Sequence, residues 1–151
     1  MSSLTLNREN AEKFLSTKEI AVAGASRNPK KFGNIVLETL KSKGFKVVPV
    51  NPNAGTINNE PCFKSIAELP EHIKNVLVVV KPSETEELVS QAIEKGISGI
   101  WIQQGSETKT AIQKAQDAGI MVISGKCILM YANPTGFHKF HMRVNKLFGK
   151  Y

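Results

Sequence analysis

The sequence predicts an α/β fold: a doubly wound, mainly parallel, five-stranded sheet of Rossmann-like type, with an extra C-terminal helix. Three observations carry this. Short runs of β-branched and leucine residues alternate with segments of helical periodicity. Those runs are apolar on both faces, which suits strands covered on both sides by helices. Glycines at positions 44, 96 and 119 fall where three helical patterns stop.

Each element follows from its residues. The first helix opens at Asn7, a good N-cap, and carries Ala11, Phe14 and Leu15 as an apolar stripe. The first strand covers Glu19 to Ala23. A helix beginning near Gly33 turns Val36, Leu37 and Leu40 inward and ends at Gly44. Phe45 to Val50 is the second strand, and Asn51-Pro52-Asn53-Ala54-Gly55 is its turn-rich exit. From Thr56 to Pro70 the chain reads as a loop, with one short helical turn near Ser65-Ile66-Ala67-Glu68.

The third strand is Val76 to Val80, closed by Lys81-Pro82. Ser83 and Glu86 have the spacing of a capping box, opening a helix with Leu88, Val89, Ala92 and Ile93 inward. Gly99 to Ile102 is the fourth strand. Ser106 then caps a helix bearing Ala111, Ile112, Ala115 and Ala118, and Ile120 to Ile123 is the fifth strand. The expected organisation is an N-terminal helix (1–17), a Rossmann-like domain (18–130) and a C-terminal helix (131–151).

Composition bounds the function. The chain has 151 residues, 41% of them hydrophobic, which suits one domain with a real core. A net charge of +7 favours polyanionic partners, or reflects scattered surface lysines. Cys62 and Cys127 form no CxxC pair, the first ten residues hold no signal-peptide core, and no apolar run reaches the roughly 20 residues of a membrane span. A soluble protein of the reducing cytoplasm is expected.

In a doubly wound sheet, ligands sit outside the carboxyl ends of the strands. The first such end is the most informative: Gly24 and Ala25 leave room for close approach, Ser26 has a hydroxyl to donate, and Arg27, Lys30 and Lys31 add charge. The helix from Gly33 aims unpaired N–H groups at the same spot. These residue types suit an anionic, nucleotide-like ligand. The other strand ends are Val50-Asn51-Pro52, Val80-Lys81-Pro82, Gln103-Gln104-Gly105 and Ser124 to Cys127. An NAD site would place an acid at the second strand's end, where Asn51 stands, and no acid follows before Glu60. NADP remains open through Arg27 or a lysine. No GxxxxGK[ST] motif is present.

Taken together, the motifs resemble the CoA-binding domain family. They are GAS-x4-K-x-GN (Gly24, Ala25, Ser26, Lys31, Gly33, Asn34), VxPVNP from Val47 to Pro52, Trp101-Ile102-Gln103-Gln104-Gly105, and Ala118-Gly119 through Cys127. The likeness spans about residues 18–130, and extends to the CoA-holding domain of succinyl-CoA synthetase α subunits and ADP-forming acyl-CoA synthetases. It implies coenzyme A or an acyl-CoA as ligand. Gly24, Ala25, Ser26 and Lys31 would meet its phosphates. Val50, Asn51 and Pro52 would flank the nucleotide, Lys81 and Pro82 the adenine, and Gln103 and Gly105 the pantetheine. Two departures stand out. Close relatives often carry an acid soon after the cysteine, where this chain has Ile128-Leu129-Met130-Tyr131. The synthetases also use a phospho-histidine domain and a nucleotide-grasping partner, so the resemblance implies binding and not ligase activity by this chain alone.

Other chemistry-bearing residues also suit plainer roles. Cys127 is the one candidate for thiol chemistry, with Lys126 beside it to favour the thiolate, against a role in packing the sheet's end. His138 and His141 lie three apart, without the supporting ligands of a metal site, and none is expected. Residues 131–151 read as a basic amphipathic helix with Phe137, Phe140, Val144, Leu147 and Phe148 on one face. It suits packing on the domain, a homodimer contact or a partner protein, with a membrane surface or nucleic acid as the lesser alternatives. A small NADP-dependent oxidoreductase or nucleotide-sensing regulator, and a nucleic-acid-binding module using this tail, are the rival readings.

Overall fold

Residues 3–132 are described by the computed structural model, with side chains from residue 8 onward. In chain order the elements are α1 (Ser3–Ser16), β1 (Glu19–Ala23), α2 (Phe32–Ser42), β2 (Lys46–Val50), β3 (Thr56–Ile57) and β4 (Glu60–Pro61). A 3₁₀ turn (Ile66–Glu68), β5 (Asn75–Val78), α3 (Pro82–Lys95), β6 (Gly99–Gln103), α4 (Lys109–Asp117), β7 (Met121–Lys126) and α5 (Leu129–Ala132) follow.

Five strands form one parallel sheet in the order β2-β1-β5-β6-β7. Period two along each strand sends alternate residues to opposite cores. Ile20, Val22, Leu77, Trp101 and Ile123 pack with α1, α2 and α5 residues such as Phe14, Leu37 and Leu129. Ala21, Ala23, Val76, Val78, Ile100 and Ile102 pack with Ile66, Val89, Ala92, Ala111 and Ala115 of the 3₁₀ turn, α3 and α4. Both faces are covered, as the doubly apolar strands require. The chain leaves β1 in one direction to reach β2, then crosses back over β1 to β5. The crevice between the ends of β1 and β5 is therefore the switch point of the sheet.

Several local expectations are corrected. The first helix starts at Ser3 and runs through Asn7, whose helix-interior cost is small enough for the surrounding turns to override. The expected loop from Thr56 contains an antiparallel hairpin, β3 with β4, whose two turn residues Asn58 and Asn59 take φ of +51° and +69°; asparagine tolerates this region better than most residues. The 3₁₀ turn falls at the expected place. No capping box opens α3: the N-cap is Lys81, with Pro82 at the first helical position, where its missing N–H costs nothing. Thr108, not Ser106, caps α4, accepting from the Ala111 N–H at 3.0 Å. The fifth sheet strand runs on to Lys126, with a register shift opposite Ile102 and Gln103. Of the expected C-terminal helix, Tyr131 and Ala132 belong to α5. The remainder, with His138 and His141, lies outside the described residues.

No helix among the described residues is long and apolar enough to cross a membrane.

Candidate functional site

A crevice of about 1070 Å³ opens at the switch point, lined by the ends of β1, β2 and β5 and the first turns of α2 and α3. It brings together Gly24, Ala25, Ser26, Lys31, Gly33, Val50, Asn51, Pro52, Val80 and Lys81 of the expected site. Arg27, Asn34, Pro82, Gln103 and Gly105 are not among its lining residues.

Three backbones are stacked at its floor. Gly24 has φ of +103°, and a Cβ there would stand 2.0 Å from the Val79 carbonyl oxygen. A Cβ on Gly33 would stand 2.2 Å from the Gly24 carbonyl oxygen. Only glycine lets β5, the β1 exit and the α2 entry approach this closely.

The loop above is built by local polar bonds. Ser26 Oγ accepts from the Asn28 N–H at 3.0 Å, and Asn28 Oδ1 accepts from the Lys30 N–H at 2.9 Å. The Lys31 carbonyl accepts from the Asn34 and Ile35 N–H groups, both at 3.1 Å, so its backbone starts α2. Asn34 is 4% exposed. Its Nδ2 donates to the Ser26 carbonyl at 2.8 Å and to Asn58 Oδ1 at 3.2 Å. Asn34 thus fastens the loop from behind rather than facing the crevice. The Ser26 hydroxyl hydrogen stays available for a ligand.

Asn51 is likewise committed to the protein. Its Nδ2 donates to the Ala25 carbonyl at 2.8 Å, and its Oδ1 accepts from the Asn53 N–H at 2.7 Å. The amide locks the β2 exit to the β1 exit, leaving backbone and Pro52 to face a ligand.

The crevice is rimmed by Lys30, Lys31, Lys64 and Lys81, with Glu84 and Glu87 on the α3 side. Among the described residues none of these four lysines is in a salt bridge. Lys64 and Ser65 escaped the sequence reading. They reach the rim because Phe63 pairs in parallel with Val50, adding one more strand position outside β2. The Phe63 N–H donates to the Pro49 carbonyl at 3.0 Å, and the Asn51 N–H to the Phe63 carbonyl at 2.9 Å. A single bridging residue has no periodic signature, so only the proline-containing turn before it hinted at structure.

At the end of β6 the groups are sealed inside. Gln103 is fully buried; its Oε1 accepts from the Ile128 N–H at 3.1 Å, and its amide lies against the Cys127 thiol. Gly105 is exposed, with its N–H donating to Glu107 Oε2 at 2.8 Å. Trp101 is a core aromatic, edge-on to Phe14 and Tyr131, with Nε1 donating to the Lys126 carbonyl at 3.0 Å. Cys127 is fully buried, and that burial raises its thiol pKa; the adjacent Gln103 amide and the Leu129 and Met130 N–H groups only partly oppose it. This reverses the expectation that Lys126 favours a thiolate. Burial likewise raises the Cys62 thiol, which donates weakly to the Asn51 carbonyl at 3.8 Å.

Fold and site together define a class: a Rossmann-like domain with a glycine-floored, lysine-rimmed crevice at its switch point. The chain belongs to the CoA binding domain family, whose model matches residues 18–133. It is 29% identical over 146 residues to the α subunit of acetate–CoA ligase [ADP-forming] II from Pyrococcus furiosus, covering 89% of this chain and 30% of that one. The chain thus spans less than a third of the length of that ligase subunit. A conserved hypothetical protein from Pyrococcus furiosus has a solved structure with a TM-score of 0.71 and 40% identity, over 73% of this chain and 95% of that one. A hypothetical protein from Pyrococcus horikoshii OT3 superposes with a TM-score of 0.76 at 33% identity, over 88% of this chain and 90% of that one.

Proposed function

We propose that the protein binds coenzyme A or an acyl-CoA non-covalently in this crevice. The observation that carries the reading is the rim of unpaired lysines over a floor where backbone replaces side chains. The family and the relatedness to a CoA ligase subunit support the choice of ligand. The pyrophosphate sits against the Gly24–Ser26 turn, takes the Ser26 hydroxyl hydrogen bond and is neutralised by Lys30 and Lys31. The nucleoside lies across the β2 and β5 exits, with Pro52 on one side and the Lys81 stem on the other. A crevice of about 1070 Å³ is at the upper end of small-molecule sites, roughly 300–1,000 Å³, as an extended ligand demands.

NAD is disfavoured by Asn51, whose amide is already bonded at both ends and offers no carboxylate to a ribose. Titration calorimetry with CoA, acetyl-CoA, NADP and ATP at one salt concentration is the test. Saturation by CoA or acetyl-CoA is expected, and saturation by NADP with no response to CoA would overturn it.

A further inference from the structure

The cations on the rim occupy different places along the sheet edge. At the carboxyl edge the order of backbones is Phe63, Val50, Ala23 and Val79, from the bridge of Phe63 with Val50, the pairing of Ala23 with Val50, and the Val79 N–H to Ala23 carbonyl bond at 2.8 Å. Three inter-strand spacings separate the outer members, roughly 14 Å. Lys64 follows directly on one flank and Lys81 closes the other, with Lys30 and Lys31 on the loop between. A ligand with one compact polyphosphate would meet the central loop and leave a flank empty. One with a second, separate phosphate would reach a flank as well.

Glu84 and Glu87 of α3 line the rim together with Lys81 and Lys64. Lys64 is exposed and, among the described residues, is in no salt bridge. The place of the ribose decides which flank a second phosphate reaches. Ser65 is the N-cap of the 3₁₀ turn, yet its hydroxyl makes no capping bond, leaving it free for a ligand. In doubly wound sheets the ribose lies at the exit of the strand that β2 represents here. A phosphate on that ribose therefore falls beside the Phe63 strand position.

We propose that Lys64 and Ser65 form a subsite for a ribose-bound phosphate, the 3′-phosphate of CoA, separate from the pyrophosphate site. The inference rests on the CoA reading above. It makes the protein selective for 3′-phosphorylated ligand over dephospho-CoA, through a lysine ammonium and a hydroxyl that the fold does not otherwise use.

The test compares CoA and dephospho-CoA by calorimetry at fixed salt, on the full chain and on Lys64→Ala, Ser65→Ala and Lys64→Arg. The full chain should bind CoA at least about tenfold more tightly than dephospho-CoA, the order expected for a charge-assisted bond. Lys64→Ala should bring the ratio close to parity, Ser65→Ala should lower it less, and Lys64→Arg should keep most of it. Thermal melting of each variant checks folding, which the exposed Lys64 side chain does not support. Equal binding of both ligands by the full chain, or a preference that survives Lys64→Ala, overturns the subsite while leaving CoA binding intact. If neither ligand binds, the functional reading fails and the subsite with it.

Discussion

Gly33, at the start of α2, rests its Cα against the carbonyl of Gly24, nine residues earlier at the exit of β1. A Cβ at Gly33 would lie 2.2 Å from that oxygen and 3.3 Å from the Ser26 nitrogen. The obstacle is backbone, which cannot swing aside as a side chain does. This contact sets the height of the loop over the crevice floor.

Helix propensity alone would make Gly33→Ala stabilising by about 1 kcal/mol. The backbone clash reverses the sign, and a net loss of about 2 kcal/mol is expected. Gly24→Ala should cost about 3 kcal/mol, since it adds a positive-φ penalty to its own clash with Val79. Gly44 is the control: it has φ of +93° and nothing within 4 Å of a built Cβ, so Gly44→Ala should cost only about 1 kcal/mol. Urea denaturation of the three variants ranks them. Equal losses at Gly24 and Gly44, with none at Gly33, would mean that conformation, not close approach, governs the floor.

The double variant Ser26→Ala with Lys31→Ala should lose CoA affinity by about a hundredfold, about tenfold from each group. Its stability should fall by no more than about 1 kcal/mol, from the lost bond to the Asn28 N–H. Because both side chains reach solvent, wild-type affinity should also drop as salt is raised. Calorimetry with a melting curve separates the two effects. Unchanged affinity would place the phosphates elsewhere.

Asn34 tests the support behind the loop. Asn34→Asp keeps the shape but removes both donated bonds, setting a buried carboxylate against the Ser26 carbonyl and Asn58 Oδ1. A destabilisation of about 3 kcal/mol is expected, with weaker CoA binding, although Asn34 does not line the crevice. Asn34→Ala should be milder, because it buries no charge. A carboxylate variant as stable as wild type would show that the loop holds itself.

Cys127 predicts a pH dependence. Its folded pKa is raised by burial, so the folded state holds the thiol proton more tightly than the unfolded chain. The stabilisation is fully present below the unfolded cysteine pKa, about 8.5, and is lost as pH rises toward the folded value. Cys127→Ala should flatten part of the fall in stability above that pH. In the native state a thiol reagent should modify Cys62 well before Cys127. Fast native-state labelling of Cys127 would contradict its burial.

The five strands of the parallel sheet, α2, α3, α4 and the glycine stops were legible because period two and period 3.6 are local properties, repeated over several residues. The first β–α turn was legible as a crevice wall for the same reason, since its glycines, serine and lysines stand together within eleven consecutive positions. Caps were less so. Ser83 and Ser106 have the right residue types, yet Pro82 and Thr108 start the helices, because the local backbone path decides which side chain meets a free N–H.

Tertiary structure alone decided the roles of Asn34 and Asn51, whose amides brace the loop across gaps of 8 and 26 residues. It alone carried Lys64 to the crevice, through one bridge outside β2, and sealed Cys127 and Gln103 beneath the end of β6. Local composition determines which elements form, since each is held by neighbours in the chain. Which side chain is left facing solvent, and which is consumed as a brace, depends on contacts between distant segments that exist only once the sheet has ordered.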